Sequence, residues 1–564
     1  MRWRSLLQAF SLCPGLWPGE TVRFGQSFEF GPGRRGWMLS GGGMRWLLGC
    51  FAAGLLWGAP PISIALDKPL LSLNPLLLAR EVEVQVVDLV FDRLVALDEQ
   101  GAFVPQLLEK WEISKDGRTI LLKLRPGLIW QDGTPIEAED LVATWRMLGL
   151  PAVRKIYDVV GVRTLDSLVA ETPLTVRIRL KQPRASLLSD LYNFQPIPRR
   201  RYALGSDPLK HTLNFAPVGS GPYRVLQGAN GQEVSLQRWP GYKGSHPGRW
   251  EAFRFRVQPA DQGEYGRQLK AREYHFGELD WFRHYLLRRG AFGDGALLAQ
   301  SVPMASFNTF WFNCNPKRSV LGDSRLRQAL AEALPWEFLK GQRQLRAERL
   351  ASSLWPPQSW AYDRTVEPLP RLERAAAMLD EAGWKLGADG IRRNGQGRVL
   401  RLVIFSAWGY SGRDHAEAFA GALRKVGVEI DLRRTPVGEP NLLAIKGEGD
   451  IWDFAWSTGL DPDNESPLFT SEGIKGGTNF TGYQDAEVNR LFEQGRHELD
   501  PVRRRELYLR INRLIQRDQP ILQLTYGVAY LAVDRHLRGL GFSVLGQTYG
   551  YVPGRRGWWL EDKP

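Results

Sequence analysis

The chain has 564 residues, too many for one hydrophobic core, so at least two lobes are expected. Hydrophobic residues at 43% and charged residues at 24% are ordinary for a globular protein. The formal charge of +13 is spread over scattered Lys and Arg with no basic run, which favours a solvated surface over a nucleic-acid partner. Tryptophan is unusual at 21 copies; most suit core or interface anchors, and so many flat side chains also suit a protein that wraps a ligand.

Residues 1–43, rich in Gly, Trp and Arg without periodicity, read as a non-native upstream extension or as a disordered leader. "MRWLLGCFAAGLLWGAPPISIA" (44–65) has the pattern of a secretory signal. Arg45 supplies a charged n-region, Trp46 to Trp57 an apolar h-region, and Ser63-Ile64-Ala65 a small-x-small cleavage site, so cleavage is expected after Ala65. The run is too short for a membrane span. "LLGC" (47–50) resembles a lipoprotein box with Cys50 as acceptor, but most of the apolar stretch follows that cysteine, which favours soluble export over a lipid anchor. Cys314 is then left as a single free cysteine, which excludes an internal disulfide framework and a cysteine-based metal site.

Residues 73–101 predict a helix ending in a short strand. "WEISKDGRTILLKLRPGLIW" predicts a hairpin turning at Lys115-Asp116-Gly117, with Ile120, Leu122 and Leu124 on one face. After turns at Pro126-Gly127 and Asp132-Gly133 a helix is expected, with Ala138, Leu141, Val142 and Trp145 on one face, Pro135 in its first turn, and Thr134 and Glu137 at capping-box spacing. Residues 172–183 alternate as a strand, and 218–244 read as a strand pair joined by an Asn-Gly turn. Beyond residue 305 strands and helices alternate. Residues 372–384 read as a helix ended by Gly383. The strand 401–406, a helix with Ala416, Phe419, Ala420 and Leu423 on one face, and the strand 428–432 make a βαβ unit with a parallel pair. No Pro- or Gly-rich linker divides the chain, which suggests that it passes between its lobes more than once.

Catalytic motifs are absent. The seven histidines form no HExxH and no short-spaced pair, there is no GxSxG, and no Gly-Lys dipeptide exists for a phosphate loop. Ser220 in "VGSGPY" reads as part of a tight turn entering a strand, and "DPDNE" (461–465) lacks the remainder of a calcium loop.

The stretch 89–145 resembles the family 5 solute-binding proteins of bacterial ABC importers for peptides and nickel. Trp111, Ser114, Asp116, Gly117, Arg125, Gly127, Trp130, Asp132, Gly133, Pro135, Ala138 and Asp140 match that family's hallmark in order. "APVGSGPYRV" (216–225), "QRWPGYKG", "FWFNCNP" with "DSRLRQALAEAL" (323–334), "AAAMLDEAGW", "LRKVGVEIDL", "NFTGYQDAEVNRLFEQG" (479–495) and "RDQPILQL" (517–524) continue the match, so the resemblance covers roughly residues 66 to 540.

The resemblance implies an α/β, two-lobed periplasmic-binding-protein fold of type II, with mixed sheets joined by hinge strands and an extra subdomain in the first lobe. Behind a signal at 44–65, the expected layout is first lobe at 66–96, subdomain at 97–215, first lobe again at 216–305, second lobe at 306–529 and a return to the first lobe at 530–564. A peptide would be engulfed between closing lobes and delivered to permease subunits in the inner membrane, with ATP hydrolysed by other subunits. No cofactor, no metal, no enzymatic step and no nucleic acid are implied, and a monomer is expected. The implied ligand contacts are Trp408 and Tyr410, with Arg413 as a carboxylate clamp, and Trp456, Thr458 and Asp461 in the second lobe. Trp408 as lobe core and Arg413 as a helix-start surface residue are equally open. In the family's W-x-x-D pattern the aspartate receives the peptide amine; here Trp456 matches but the fourth position is Gly459. Asp461 is the nearest replacement, with Asp463 as rival, or Asp461 merely opens a turn before Pro462. An oligosaccharide, opine, haem or nickel chelate on the same fold remains the alternative, ahead of a sensor or an enzyme.

Overall fold

The computed structural model describes residues 59–561 apart from Ala79, 155–164, 203–206, 208–209, 293–294, 346–348, 366–371, 408–414 and 477. The first strand, β1 (Ile62–Leu66), is buried along its whole length. It pairs in parallel with Ala252–Val257 on one side and with Phe276–Leu279 on the other, at the heart of the first lobe. Cleavage after Ala65, as expected from the sequence, would remove four of its five residues and open the central sheet.

Helix α1 (Glu81–Val90) buries Val82, Val86, Leu89 and Val90 against this sheet. The subdomain follows as β2 (Leu108–Ile113), β3 (Thr119–Leu124), α2 (Ala138–Leu148), β4 (Leu165–Thr172) and β5 (Thr175–Leu180). Its sheet has the antiparallel order β2-β3-β5-β4. Ile120, Leu122 and Leu124 are buried as alternation requires, and Val176, Ile178 and Leu180 face the same core.

Helix α2 begins three residues later than the expected cap. Glu137 is its N-cap, and Glu137 and Asp140 form the capping box. Thr134 belongs instead to the Asp132-Gly133 turn, where its hydroxyl donates to Asp132 Oδ1 at 2.6 Å. Pro135 precedes the helix and bridges back to Ile129. Buried Asp140 then binds the subdomain together: its carboxylate accepts from Trp130 Nε1 (3.1 Å), the Glu137 N–H (3.0 Å) and the Arg199 N–H (3.0 Å). The punctuation of this stretch is structural.

The main sheet continues with β6 (Tyr223–Val225), β7 (Glu233–Arg238), β8 (Ala252–Val257), β9 (Phe276–Leu279), the long β10 (Leu297–Phe312), β11 (Arg401–Ala407), β12 (Glu429–Thr435), β13 (Ile451–Ser457) and the long β14 (Ile521–Asp534), with the short strand Arg349–Leu350 pairing β14 off the main path. Helices α3 (His415–Lys425), α4 (Ala486–His497) and α5 (Pro501–Asp518) pack on the second lobe. The βαβ unit forms as expected: β11 and β12 are parallel, and Ala416, Phe419, Ala420 and Leu423 of α3 are fully buried. An 11-stranded mixed sheet has the main order β12-β11-β13-β10-β14-β9-β1-β8-β7-β6.

The large apolar clusters separate cleanly. One draws on residues 62–302 and 531–558, the other on residues 307–526. The chain therefore crosses between lobes along β10 and again along β14. At the crossing the register slips, from Pro303 opposite Val528 to Phe307 opposite Tyr526. Met304, Ala305 and Ser306 thus face Gly527 alone, a bulge that bends the paired strands. A Cβ on Gly527 would sit 2.0 Å from Ser306 Oγ, so a side chain here would force the Ser306 hydroxyl to swing away. These are the hinge strands of a two-lobed fold.

Candidate functional site

A cavity of about 240 Å³ lies between the lobes beside the bulge. Glu81, Arg93 and Asn193 line it from the first lobe, Met304 and Ala305 from the bulge, Ser457 and Thr458 from the end of β13, and Gln547 and Tyr549 from the C-terminal return. A second, apolar void inside the subdomain measures about 30 Å³ and has room for only about one or two waters.

The lobes touch around the cavity. The Ala185 N–H donates to Arg496 O at 3.0 Å, His497 Nδ1 lies 2.5 Å from Pro183 O, and Leu460 of the second lobe packs on the apolar cluster of the first. Thr458 is tied to the bulge, both its N–H (2.8 Å) and its hydroxyl (3.0 Å) donating to Ala305 O. Any rotation at the bulge therefore moves the floor of the cavity.

Glu81 is exposed and opens α1. Its Oε1 accepts a short bond from the Tyr549 hydroxyl and one from Gln547 Nε2 at 3.3 Å. Arg93 is buried, donating to Asp88 Oδ1 (3.1 Å) and Tyr192 O (2.8 Å) with its guanidinium over the Tyr192 ring. Glu278 keeps solvent contact by area but sits in a recess where lost hydration lifts its carboxyl to about 7, with Glu81 and Asp67 adding to the rise. Beneath this wall Arg555 is fully enclosed by aromatic rings, and burial pulls it down to about 10.

The sequence-predicted residues fare differently. Trp408, Tyr410 and Arg413 lie outside the described residues. Thr458 lines the cavity. Trp456 is half-buried and packs edge-on against Trp311, centroids 5.8 Å apart, within the aromatic cluster of the second lobe; it is not among the lining residues. The two oxygens of Asp461 accept from Arg504 Nη1 and Nη2, both at 2.7 Å, and Oδ1 also caps the following turn through the Asp463 N–H. Asp461 and Arg504 are both buried, and both carboxylate oxygens are engaged within the second lobe. The rival Asp463 is likewise engaged, by Arg496 Nε (3.1 Å) and the Tyr508 hydroxyl (3.3 Å).

Gly459 has no room for a larger residue: a Cβ would meet Asn464 Nδ2 at 1.9 Å. Its N–H donates to Glu465 Oε1 (3.0 Å), and Trp355 Nε1 donates to Glu465 Oε2 (3.2 Å). Glu465 is buried with no cationic partner among the described residues, and desolvation lifts its carboxyl to about 8. Sequence reasoning missed Glu81, which looked like an ordinary acidic residue at a helix start, and Tyr549, which is 468 residues away along the chain.

Two lobes crossed twice by the chain, a bulge at the crossings and a cavity between them lined by both polar and apolar side chains are the features of a binding protein that closes around a small solute. The chain belongs to the bacterial extracellular solute-binding proteins, family 5, whose model matches residues 102–477. It is similar to the dipeptide-binding protein of Escherichia coli, 25% identical over 479 residues that cover 79% of this chain and 85% of that one. In fold it resembles the oligopeptide-binding protein AppA of Bacillus subtilis in complex with a nonapeptide, with a TM-score of 0.73 at 22% identity, covering 89% of this chain and 99% of the other. NikZ of Campylobacter jejuni in complex with Ni(L-His) is similar to the same degree, with a TM-score of 0.74 at 22% identity and coverage of 89% and 100%. Among the described residues no group of three metal-ligating side chains occurs, and no helix is long and apolar enough to cross a membrane.

Proposed function

We propose that the chain captures short peptides between its lobes and hands them to the permease of an ABC importer. The observation that carries this reading is the cavity at the hinge, lined by polar and apolar side chains from both lobes, in a chain similar to a dipeptide-binding protein. At about 240 Å³ it is smaller than the roughly 300–1,000 Å³ of typical small-molecule sites, which suits a di- or tripeptide better than a long one. Ligand contacts made from both lobes favour the closed arrangement, and the shift between open and closed forms is limited by the differential affinity of the ligand for the two. The permease then recognises the closed form, ATP hydrolysis falls to partner subunits, and the chain acts as a monomer that performs no covalent step. Export by the 44–65 region, with processing before Ile62, places it outside the inner membrane.

Native mass spectrometry of the protein purified from its own cell envelope tests this. Co-purified peptides of two or three residues are expected. An oligosaccharide, a haem or a nickel chelate recovered in their place would overturn the peptide reading while leaving the family intact.

A further inference from the structure

Resting on that peptide reading, we propose that Glu81 receives the ammonium group of the ligand, so that the charge-selective contact sits in the first lobe and not in the loop that follows β13. A bound ammonium removed from water needs an anionic partner. The loop 459–465 cannot supply one. Gly459 has no side chain and no space for one, Asp461 is paired with Arg504, Asp463 is held by Arg496 and Tyr508, and Glu465 is buried behind the loop.

Glu81 meets the requirement on geometry. Among the described residues that line the interlobe cavity it is the one carboxylate. Both of its donors, Tyr549 and Gln547, reach Oε1, and Oε2 has no hydrogen-bond partner among the described residues. A carboxylate accepts at both oxygens, so the anchored Oε1 fixes the group while Oε2 stays available. Tyr549 and Gln547 arrive from the C-terminal return and Glu81 from the start of α1, so two segments remote in sequence converge to orient one acid.

The test is calorimetry with a pool of free di- and tripeptides and with the same pool N-acetylated, on the wild-type chain, Glu81→Gln and Glu81→Asp, with thermal melting to verify folding. Gln keeps an acceptor for Tyr549 and Gln547 but places an amide where Oε2 was. The wild type is expected to prefer the free pool by roughly tenfold or more, as for a partly exposed charge pair. Glu81→Gln should abolish that preference and Glu81→Asp retain part of it. A wild type that binds both pools alike, or a Glu81→Gln variant that keeps the wild-type preference, overturns the inference while peptide binding stands. A wild type that binds neither pool overturns the peptide reading and this inference with it.

Discussion

Replacing Asp461 by Asn separates a structural role for that residue from a ligand-binding one. The pair with Arg504 is bidentate at 2.7 Å, and each side chain keeps only 9% of its surface exposed. Breaking a buried ion pair costs about 3–5 kcal/mol, because the remaining charge stays desolvated. Arg504 retains other support: Nε donates to Gly495 O at 2.8 Å, and the guanidinium lies 5.0 Å from the Trp360 ring centroid and 5.2 Å from that of Tyr508. Asn also keeps one acceptor for the cap. The expected loss is therefore at the lower end, about 2–4 kcal/mol. Urea unfolding followed by tryptophan fluorescence measures it, and calorimetry with free and N-acetylated peptides measures the consequence for binding. Any loss of affinity should be equal for the two ligands. The double variant Asp461→Asn with Arg504→Met should recover stability, since an apolar residue carries no charge to strand. An Asp461→Asn protein as stable as wild type, or one that loses affinity for free peptides alone, would refute the reasoning.

Asp140→Ala strands the Trp130 indole N–H and two backbone N–H groups in the subdomain, at about 1–3 kcal/mol for each buried donor. Limited proteolysis should then cut between residues 108 and 180 well before the rest of the chain; an unchanged cleavage pattern would contradict the locking role. Glu465 gives a pH signature. Its folded carboxyl is raised from 4.5 to about 8, so its contribution is fully present below 4.5 and lost as pH rises towards 8. Stability should fall across that window with a slope of up to about 1.4 kcal/mol per pH unit from this one group. Glu465→Gln should flatten the slope; equal slopes in urea unfolding at pH 5, 6.5 and 8 would argue against it.

Much of the fold was legible because it rests on local periodicity. Ile120, Leu122 and Leu124 announce a one-faced strand, and the spacing of Ala416, Phe419, Ala420 and Leu423 announces a helix between parallel strands. Features decided by distant partners were not. Ile-Ser-Ile-Ala-Leu reads equally well as the end of a signal or as a strand, and only the pairing with Phe253 and Phe276 decides it. The cap of α2 lies at Glu137, where Glu137 and Asp140 close a reciprocal capping box, while Thr134 is part of the preceding Asp132-Gly133 turn, a choice that spacing alone cannot reveal. The site suffered most. Thr458, one of the expected contacts, lines the cavity, whereas Asp461 was chosen for proximity in sequence, and its partner Arg504 lies 43 residues on. Glu81, Gln547 and Tyr549 meet only because the chain returns to the first lobe after β14.

Small-angle X-ray scattering with and without the free peptide pool tests capture between closing lobes most directly. The bulge opposite Gly527 and the contacts of Leu460, Pro183 and Ala185 across the lobes predict that saturating peptide lowers the radius of gyration towards that of the structure described above. A scattering profile unchanged at saturation, with binding confirmed by calorimetry in the same buffer, would contradict closure around the ligand.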